Sequence, residues 1–224
     1  MRRALIVIGK APIPGSTKTR LVPPLTPEDA AAVYRGFLLD TLELATSLAW
    51  ECTSLIHPRG HAVLLRGLAP GGVRVVEQPG HGLGRALAYA FELHFAKGFE
   101  SVTLIGSDNP TLPIETVTAA HAALERGSDV AIGPSADGGY YLIGMRQPHL
   151  ALFEQIDWST SRVYAQTLAR AARLNLSVHS VREWYDVDEP GDLDRLRREL
   201  ASAPAAVAPH TRHALEAIGA APVP

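Results

Sequence analysis

One cysteine, Cys52, is all that this chain of 224 residues contains. A single thiol excludes an internal disulfide and a cysteine-built metal cage, and it fits a reducing, cytoplasmic setting. No charge of one sign dominates either, since 21 Lys and Arg face 23 Asp and Glu for a net charge of −2. Without a basic stripe there is no surface to track a nucleic-acid backbone. Long apolar runs are missing too, and nothing approaches the roughly 20 residues of a membrane span. Arg2-Arg3 ahead of an apolar stretch mimics a signal peptide. That stretch ends after about six residues at Lys10, short of the 7–15 of a secretory apolar region. Repeats are absent, and the nine histidines offer no pair at metal-ligand spacing. What remains is ordinary for a globular chain: 46% hydrophobic and 20% charged residues, enough for one good-sized domain, with or without a small appendage.

The most informative segment runs from Ala4 to Leu21. Ala4–Ile8 is unbroken, apolar and β-branched, which predicts a strand covered on both faces. Pro12, Pro14 and Gly15 then forbid both helix and ladder, so the chain leaves the sheet as a shaped loop. That loop carries Lys10, Lys18 and Arg20. Cations at the carboxyl end of a first parallel strand stand where open α/β sheets bind ligands, and a rigid basic loop suits a phosphate.

Further along, strand and helix patterns alternate. Thr26 caps a helix through Leu48, with Pro27 at its first position and acids in its first turn. Strands are predicted over 53–57, 73–77, 102–105, 130–132, 140–145 and 176–181. Helices are predicted over 83–97, 114–126, 159–174 and 191–200. Strands interleaved with helices imply a mostly parallel sheet in three αβα layers. Residues 201–224, rich in alanine and proline, are expected to form a loosely docked tail beside a single domain over 1–200.

Acidic residues supply the remaining chemistry. Asp108 follows the strand Val102–Ile105 and precedes Pro110. It is placed either to hold a divalent cation or to start a turn. Asp186 and Asp188 lie two apart, so an extended backbone points both the same way. Asp188 can equally cap the last helix. Taken together, Asp108 and Asp188 would hold Mg²⁺ or Mn²⁺, while Lys18 and Arg20 hold phosphates. Such parts suit transfer at a phosphorus centre. Gly82 and Gly84 fall between a strand and a helix, where they form a tight turn or admit a base or ribose. Asp137-Gly138-Gly139 reads as a hairpin turn. Ser159 or Thr160 reads as a helix cap, and Trp158 as a hydrophobic staple ahead of it.

Five ordered segments carry a family resemblance: Lys10–Leu21, Ile105–Pro113, Gly133–Tyr141, Trp158–Thr160 and Trp184–Leu193. Over roughly Ala4 to Leu200 the chain resembles the GT-A-fold transferases described as radical-SAM/selenodomain-associated transferase 1. These are similar to molybdenum-cofactor and phospholactate nucleotidyltransferases. The resemblance implies a Rossmann-like, nucleotide-diphospho-sugar-transferase-like sheet and a divalent metal on Asp108 and Asp188. It also implies that Lys18 and Arg20 hold the nucleotide's triphosphate, and Lys10, Gly15, Gly82, Gly84 and Asp108 are further candidates for the nucleotide site. Asp137, Gly138, Gly139, Trp158, Ser159 and Thr160 would line the acceptor pocket, Asp137 as a second carboxylate or general base. Lys18, Arg20 and Asp108 would carry catalysis. The reaction so implied moves a nucleoside monophosphate from a nucleoside triphosphate to a small phosphate- or phosphonate-bearing acceptor. The alternative is glycosyl transfer from a nucleotide-sugar, and the third reading is a nucleotide-binding module without catalysis. Glycosyltransferases of this fold usually hold metal through Asp-x-Asp, whereas Ser107-Asp108-Asn109 offers one carboxylate.

Overall fold

The first strand, β1 (Arg3–Ile8), is apolar from Ala4 onward because its middle is buried from both sides. Leu5 and Val7 enter one core with Leu38, Leu42, Val117 and Leu124, while Ala4 and Ile6 enter another with Leu87, Ala90 and Phe91. An inner strand between two helical layers has no polar face to show. The computed structural model describes residues 2–220.

The remaining strands are β2 (Cys52–His57), β3 (Val73–Glu77), β4 (Ser101–Gly106), β5 (Val130–Pro134), β6 (Tyr140–Met145) and β7 (Val178–Ser180). They form a seven-stranded sheet in the order β3-β2-β1-β4-β6-β5-β7. Only β6 runs against its neighbours, pairing antiparallel with β4 and β5. Helices α1 (Pro27–Ser47) and α4 (Ile114–Glu125) cover one face, and α3 (Leu83–Ala96) and α5 (Val163–Arg173) the other. The architecture is a three-layer αβα sandwich of GT-A-like type.

Register decides which loops meet. Ile8 pairs with Ile56 and Gly106, so β1, β2 and β4 end at one edge of the sheet. Because β6 is reversed, its first residues return to that edge, bringing the turn 135–139 with them. Parallel pairing of β7 with β5 sends residues 181–189 out at the same edge. Segments scattered through the sequence therefore share one rim.

Three local readings are corrected by the coordinates. Asp188 does not cap α6 (Pro190–Ser202); Glu189 does, and Asp192 completes a reciprocal capping box. Helix α5 starts at Val163, so neither Ser159 nor Thr160 caps it. Ser159 sits in the left-handed region with φ 64°, a conformation that breaks a helix rather than starting one. The short α2 (Ala62–Leu68) had no sequence signal; it buries only Leu65 and leaves Val63 82% exposed.

The expected loose tail is also corrected. Residues Pro209–Ala220 form α7, packed against α1; residues 221–224 lie outside the described residues. The join has two parts. Gly36 lets the helices approach so closely that a Cβ there would lie 2.8 Å from Thr211 Cα. Asp40 then accepts from the backbone N–H groups of His210 at 3.0 Å and Thr211 at 2.9 Å, capping α7 from a neighbouring helix. Among the described residues no helix is long and apolar enough to cross a membrane.

The contact at Gly36 is directly testable. Gly36→Ala drives a methyl into backbone and is expected to cost roughly 1–3 kcal/mol, seen as a fall of several degrees in Tm by differential scanning calorimetry. An unchanged Tm would mean that α7 packs less closely on α1 than the coordinates place it.

Candidate active site

The loop after β1 is built to turn one lysine inward. Ser16 and Thr17 both donate backbone N–H bonds to Ile13 O at 3.1 Å, and Thr17 Oγ1 donates to Ala11 O at 2.8 Å. The backbone N–H of Lys10 donates to Tyr34 Oη at 2.9 Å, pinning the loop's start to α1. Lys18 follows in the left-handed conformation, with φ 51° and ψ 42°. This reversal buries its side chain, which is 4% exposed. Its Nζ contacts Asp108 Oδ1 and lies 2.8 Å from Asp188 Oδ1. The rings of Tyr34 and Phe37 stand 5.7 and 5.6 Å from the ammonium. Burial alone would lower the Lys18 pKa, but Asp108 and Asp188 outweigh it and hold the side chain firmly charged. Arg20, two residues on, reaches Asp188 Oδ2 at 2.8 Å and stays largely exposed.

The acids come from two distant segments tied by backbone. Val187 N donates to Asp108 O at 3.0 Å. The Asn109 amide donates at 2.6 Å to both Tyr185 O and Asp186 Oδ1, and Ser135 Oγ donates to Asp186 Oδ2 at 2.6 Å. Asp186 is thereby gripped on both oxygens. Burial pushes its pKa up to about 6, with Asp108 and Asp137 adding to the rise and the bonds from Ser135 and Asn109 opposing it. Burial also pushes Asp188 upward, but Lys18, Arg20 and Lys10 prevail and hold it below its ordinary value. Tyr34, which shares a 2.8 Å hydrogen bond with Ser107 Oγ, is pushed up to about 12 by burial and by Asp108, so it stays neutral.

A cleft of about 590 Å³ opens over these groups. Asp108, Asp137, Asp186, Asp188 and Arg20 line it, together with Leu83, Leu87 and Trp158. Gly139, Ser159 and Thr160 complete the far wall. Gly138 lies behind that wall, where only glycine fits: its φ is +88° and a Cβ would fall 2.1 Å from Ser161 O. Asp137 Oδ1 accepts from Gly139 N at 2.8 Å, fixing the turn.

Several sequence-predicted residues sit elsewhere. Lys18 is adjacent to the cleft but does not line it, because the left-handed turn aims its ammonium at the carboxylates. Lys10 and Gly15 are exposed on the outer loop and do not line the cleft. Gly82 and Gly84 border an adjoining cavity of about 530 Å³ with His81 and Arg85, which shares Leu83, Trp158 and Ser159 with the first. Trp158 is no staple for α5. Its indole packs over Gly84 of α3, where a Cβ would lie 2.5 Å from Nε1. Asn109, Ser135 and Tyr34 gave no sign of their roles in sequence, since each acts through a partner far along the chain.

Two groups could hold a metal. Asp108 and Asp188 present hard oxygen donors to the cleft, the chemistry that Mg²⁺ and Mn²⁺ prefer, while both Asp186 oxygens are taken by Asn109 and Ser135. Asp40, Glu43 and His210 also offer ligand atoms within 4.8 Å of one another. The Asp40 oxygens there already accept from the start of α7, and His210 Nε2 pairs with Glu43 at 2.7 Å. That cluster is a helix cap. Among the described residues the side-chain oxygens of Asp108 and Asp188 meet only the cations Lys18 and Arg20, so their donor chemistry fits a divalent cation.

Comparison with known proteins bears on the family and the fold. Residues 41–160 match the family model described as "Uncharacterized protein conserved in bacteria (DUF2064)". A phosphoenolpyruvate guanylyltransferase of Sphaerobacter thermophilus is 27% identical over 184 residues, covering 81% of this chain and 86% of that one. A crystal structure from Desulfovibrio desulfuricans G20, described as a candidate nucleotide-diphospho-sugar transferase, superposes with a TM-score of 0.86 at 32% identity over 98% of both chains. A manganese complex from Mycobacterium tuberculosis H37Rv shares the fold, with a TM-score of 0.53 at 18% identity over 91% of this chain and all of the other.

The burial of Asp186 sets a pH dependence. Folding raises this pKa from an ordinary 3.8 to about 6. Its stabilising contribution is therefore complete below about pH 4 and is lost as pH rises through 6. Asn109→Asp places a second carboxylate against Asp186. At pH 5 one proton can be shared, so the loss of Tm relative to wild type should be small; at pH 8 repulsion should enlarge it by several degrees. Equal losses at both pH values in thermal melts would contradict the assigned contact.

Proposed function

The chain belongs to the bacterial family DUF2064 and is a transferase of GT-A-like fold, and we propose that it is a metal-dependent nucleotidyltransferase. In this reading it moves a nucleoside monophosphate from a nucleoside triphosphate to a small acceptor that carries a phosphate or phosphonate. The observation that carries it is the meeting of Asp108, Asp186 and Asp188 with Arg20 in one cleft, from segments far apart in sequence. The Sphaerobacter relative supports it, because its name pairs a guanylyl group with a phosphate-bearing three-carbon acid.

The chemistry asks little covalent work of the protein. An oxygen of the acceptor's phosphate attacks the α-phosphorus, one P–O bond forms, and the bond to the β-phosphate oxygen breaks to release pyrophosphate. The attacking oxygen is already anionic, so no strong general base is needed. Arg20, largely exposed on the cleft beside Asp188, neutralises donor phosphates, and Lys10 adds positive potential at the loop. Asp108 and Asp188 would hold Mg²⁺ or Mn²⁺, which when bound supplies charge neutralisation between donor and acceptor. The wall formed by Gly139, Ser159 and Thr160 would face the acceptor, with Asp137 at its rim.

Glycosyl transfer from a nucleotide-sugar is the second reading. The Desulfovibrio structure favours it by description, and Asp186, held near pH 6, is a suitable base for a sugar hydroxyl. A thermal-shift panel separates the two. GTP with Mn²⁺ is expected to raise Tm by several degrees at saturating concentration, and UDP- or GDP-sugars by much less. Stabilisation by nucleotide-sugars alone would reverse the order. Asp108→Asn is expected to abolish the metal-dependent part of the GTP shift while leaving the unliganded protein folded. A metal dependence that survives this substitution would remove Asp108 from the site.

A further inference from the structure

Lys18 is the residue whose placement departs furthest from its expected role. A basic loop read from sequence should offer its ammonium to phosphate, yet Lys18 points the other way. Its side chain is 4% exposed, and its Nζ touches both Asp108 and Asp188. These are the two carboxylates assigned above to a divalent cation. One ammonium contacts an oxygen on each.

Building on the nucleotidyltransferase reading, we propose that Lys18 is an internal counter-ion holding the place of the divalent cation between Asp108 and Asp188. When a divalent cation binds there, the ammonium must withdraw, and it then turns to the donor's phosphates.

The surroundings explain why a counter-ion is needed. Asp108, Asp137, Asp186 and Asp188 line one cleft, and Arg20 is the sole cation on its lining among the described residues. Acids gathered this closely repel one another and resist ionisation unless a positive charge lies among them. Arg20 reaches only the outer oxygen of Asp188. Among the described residues Lys18 alone bridges to Asp108.

The design also permits release. The backbone of Lys18 is fixed, since its carbonyl accepts from Leu21 N at 2.9 Å and the preceding turn is closed by Thr17. The four-carbon stem makes no hydrogen bonds of its own, so side-chain rotation can carry the ammonium elsewhere while the backbone stays in place. Arg20 keeps its hold on Asp188 after Lys18 departs. Cation and ammonium then compete for the same oxygens, and a triphosphate that accepts the displaced ammonium lowers the cost of exchange. Donor and metal binding are thereby coupled with positive sign.

Mn²⁺ without nucleotide is the probe. An opposite charge in contact shifts a carboxylate's proton affinity by one to three units. Lys18→Met is accordingly expected to bind Mn²⁺ about tenfold or more tightly than wild type in calorimetric titration. A residue with a merely structural role would weaken the fold without tightening the metal. Equal or weaker Mn²⁺ binding by the variant overturns the proposal. Should Lys18→Met not fold, wild type decides the matter by amine labelling. The chain has three lysines, Lys10, Lys18 and Lys97, and the first and last are exposed controls. Acetylation by an N-hydroxysuccinimide ester, read by peptide mass spectrometry, should spare Lys18 in metal-free protein and reach it at saturating Mn²⁺. Protection of Lys18 that bound Mn²⁺ leaves unchanged also overturns the proposal. Either negative result leaves nucleotidyl transfer standing. Mn²⁺ that binds neither protein, with or without GTP, removes the metal role itself.

Discussion

The contact of Lys18 with Asp108 and Asp188 is the joint on which the rest of the site depends. It fastens the loop after β1, the end of β4 and the segment before α6, three stretches separated by up to 170 residues. A buried ammonium loses its hydration, and two carboxylates must return what burial removes. The same exchange holds Asp188 ionised, although burial alone would push it toward neutrality. Such a joint adds little net stability, since desolvation offsets most of the attraction. It supplies position, because three charges satisfy one another in one arrangement.

Why these segments meet follows from the sheet. With β1 inside the sheet between β2 and β4, connections leave β1 and β4 in opposite directions and open a crevice at their carboxyl ends. The reversed β6 then delivers Gly138 and Gly139 to the rim, where a parallel strand would have carried its start to the far edge. The close approach of Gly138 to Ser161 fixes the wall carrying Ser159 and Thr160. A short packing constraint thus positions the polar side of the cleft as firmly as charge positions the acidic side.

The site is also graded electrostatically. Asp188, next to Lys18 and Arg20, is held acidic, while Asp186, two residues away but bound only by neutral donors, rises to about 6. Neighbouring carboxylates in different surroundings divide the labour of charge and proton between them. Asn109 supplies one of those neutral donors. The Ser107-Asp108-Asn109 segment lacks a second acid, and its asparagine instead orients an acid from elsewhere.

Local pattern in the sequence was enough for the elements. Ala4–Ile8 could be read as doubly covered because apolar residues occupied every position, and Thr26 with Pro27 marked the start of α1. The resemblance pointed to Asp108 and Asp188 because whole segments matched. Other features had no local signature. Asp188 looked like a cap for α6, and its true partners lie across the fold. The left-handed turn at Lys18 could not be inferred from a loop of prolines and glycine. Helix α7 looked like a tail because its hold on α1 rests on Gly36 and Asp40, far away in the chain. Composition and periodicity determined that this chain makes an αβα sheet with a basic loop and acids at strand ends. Tertiary structure decided which acid met which cation, because charge pairing and close packing act across space, where sequence separation carries no information.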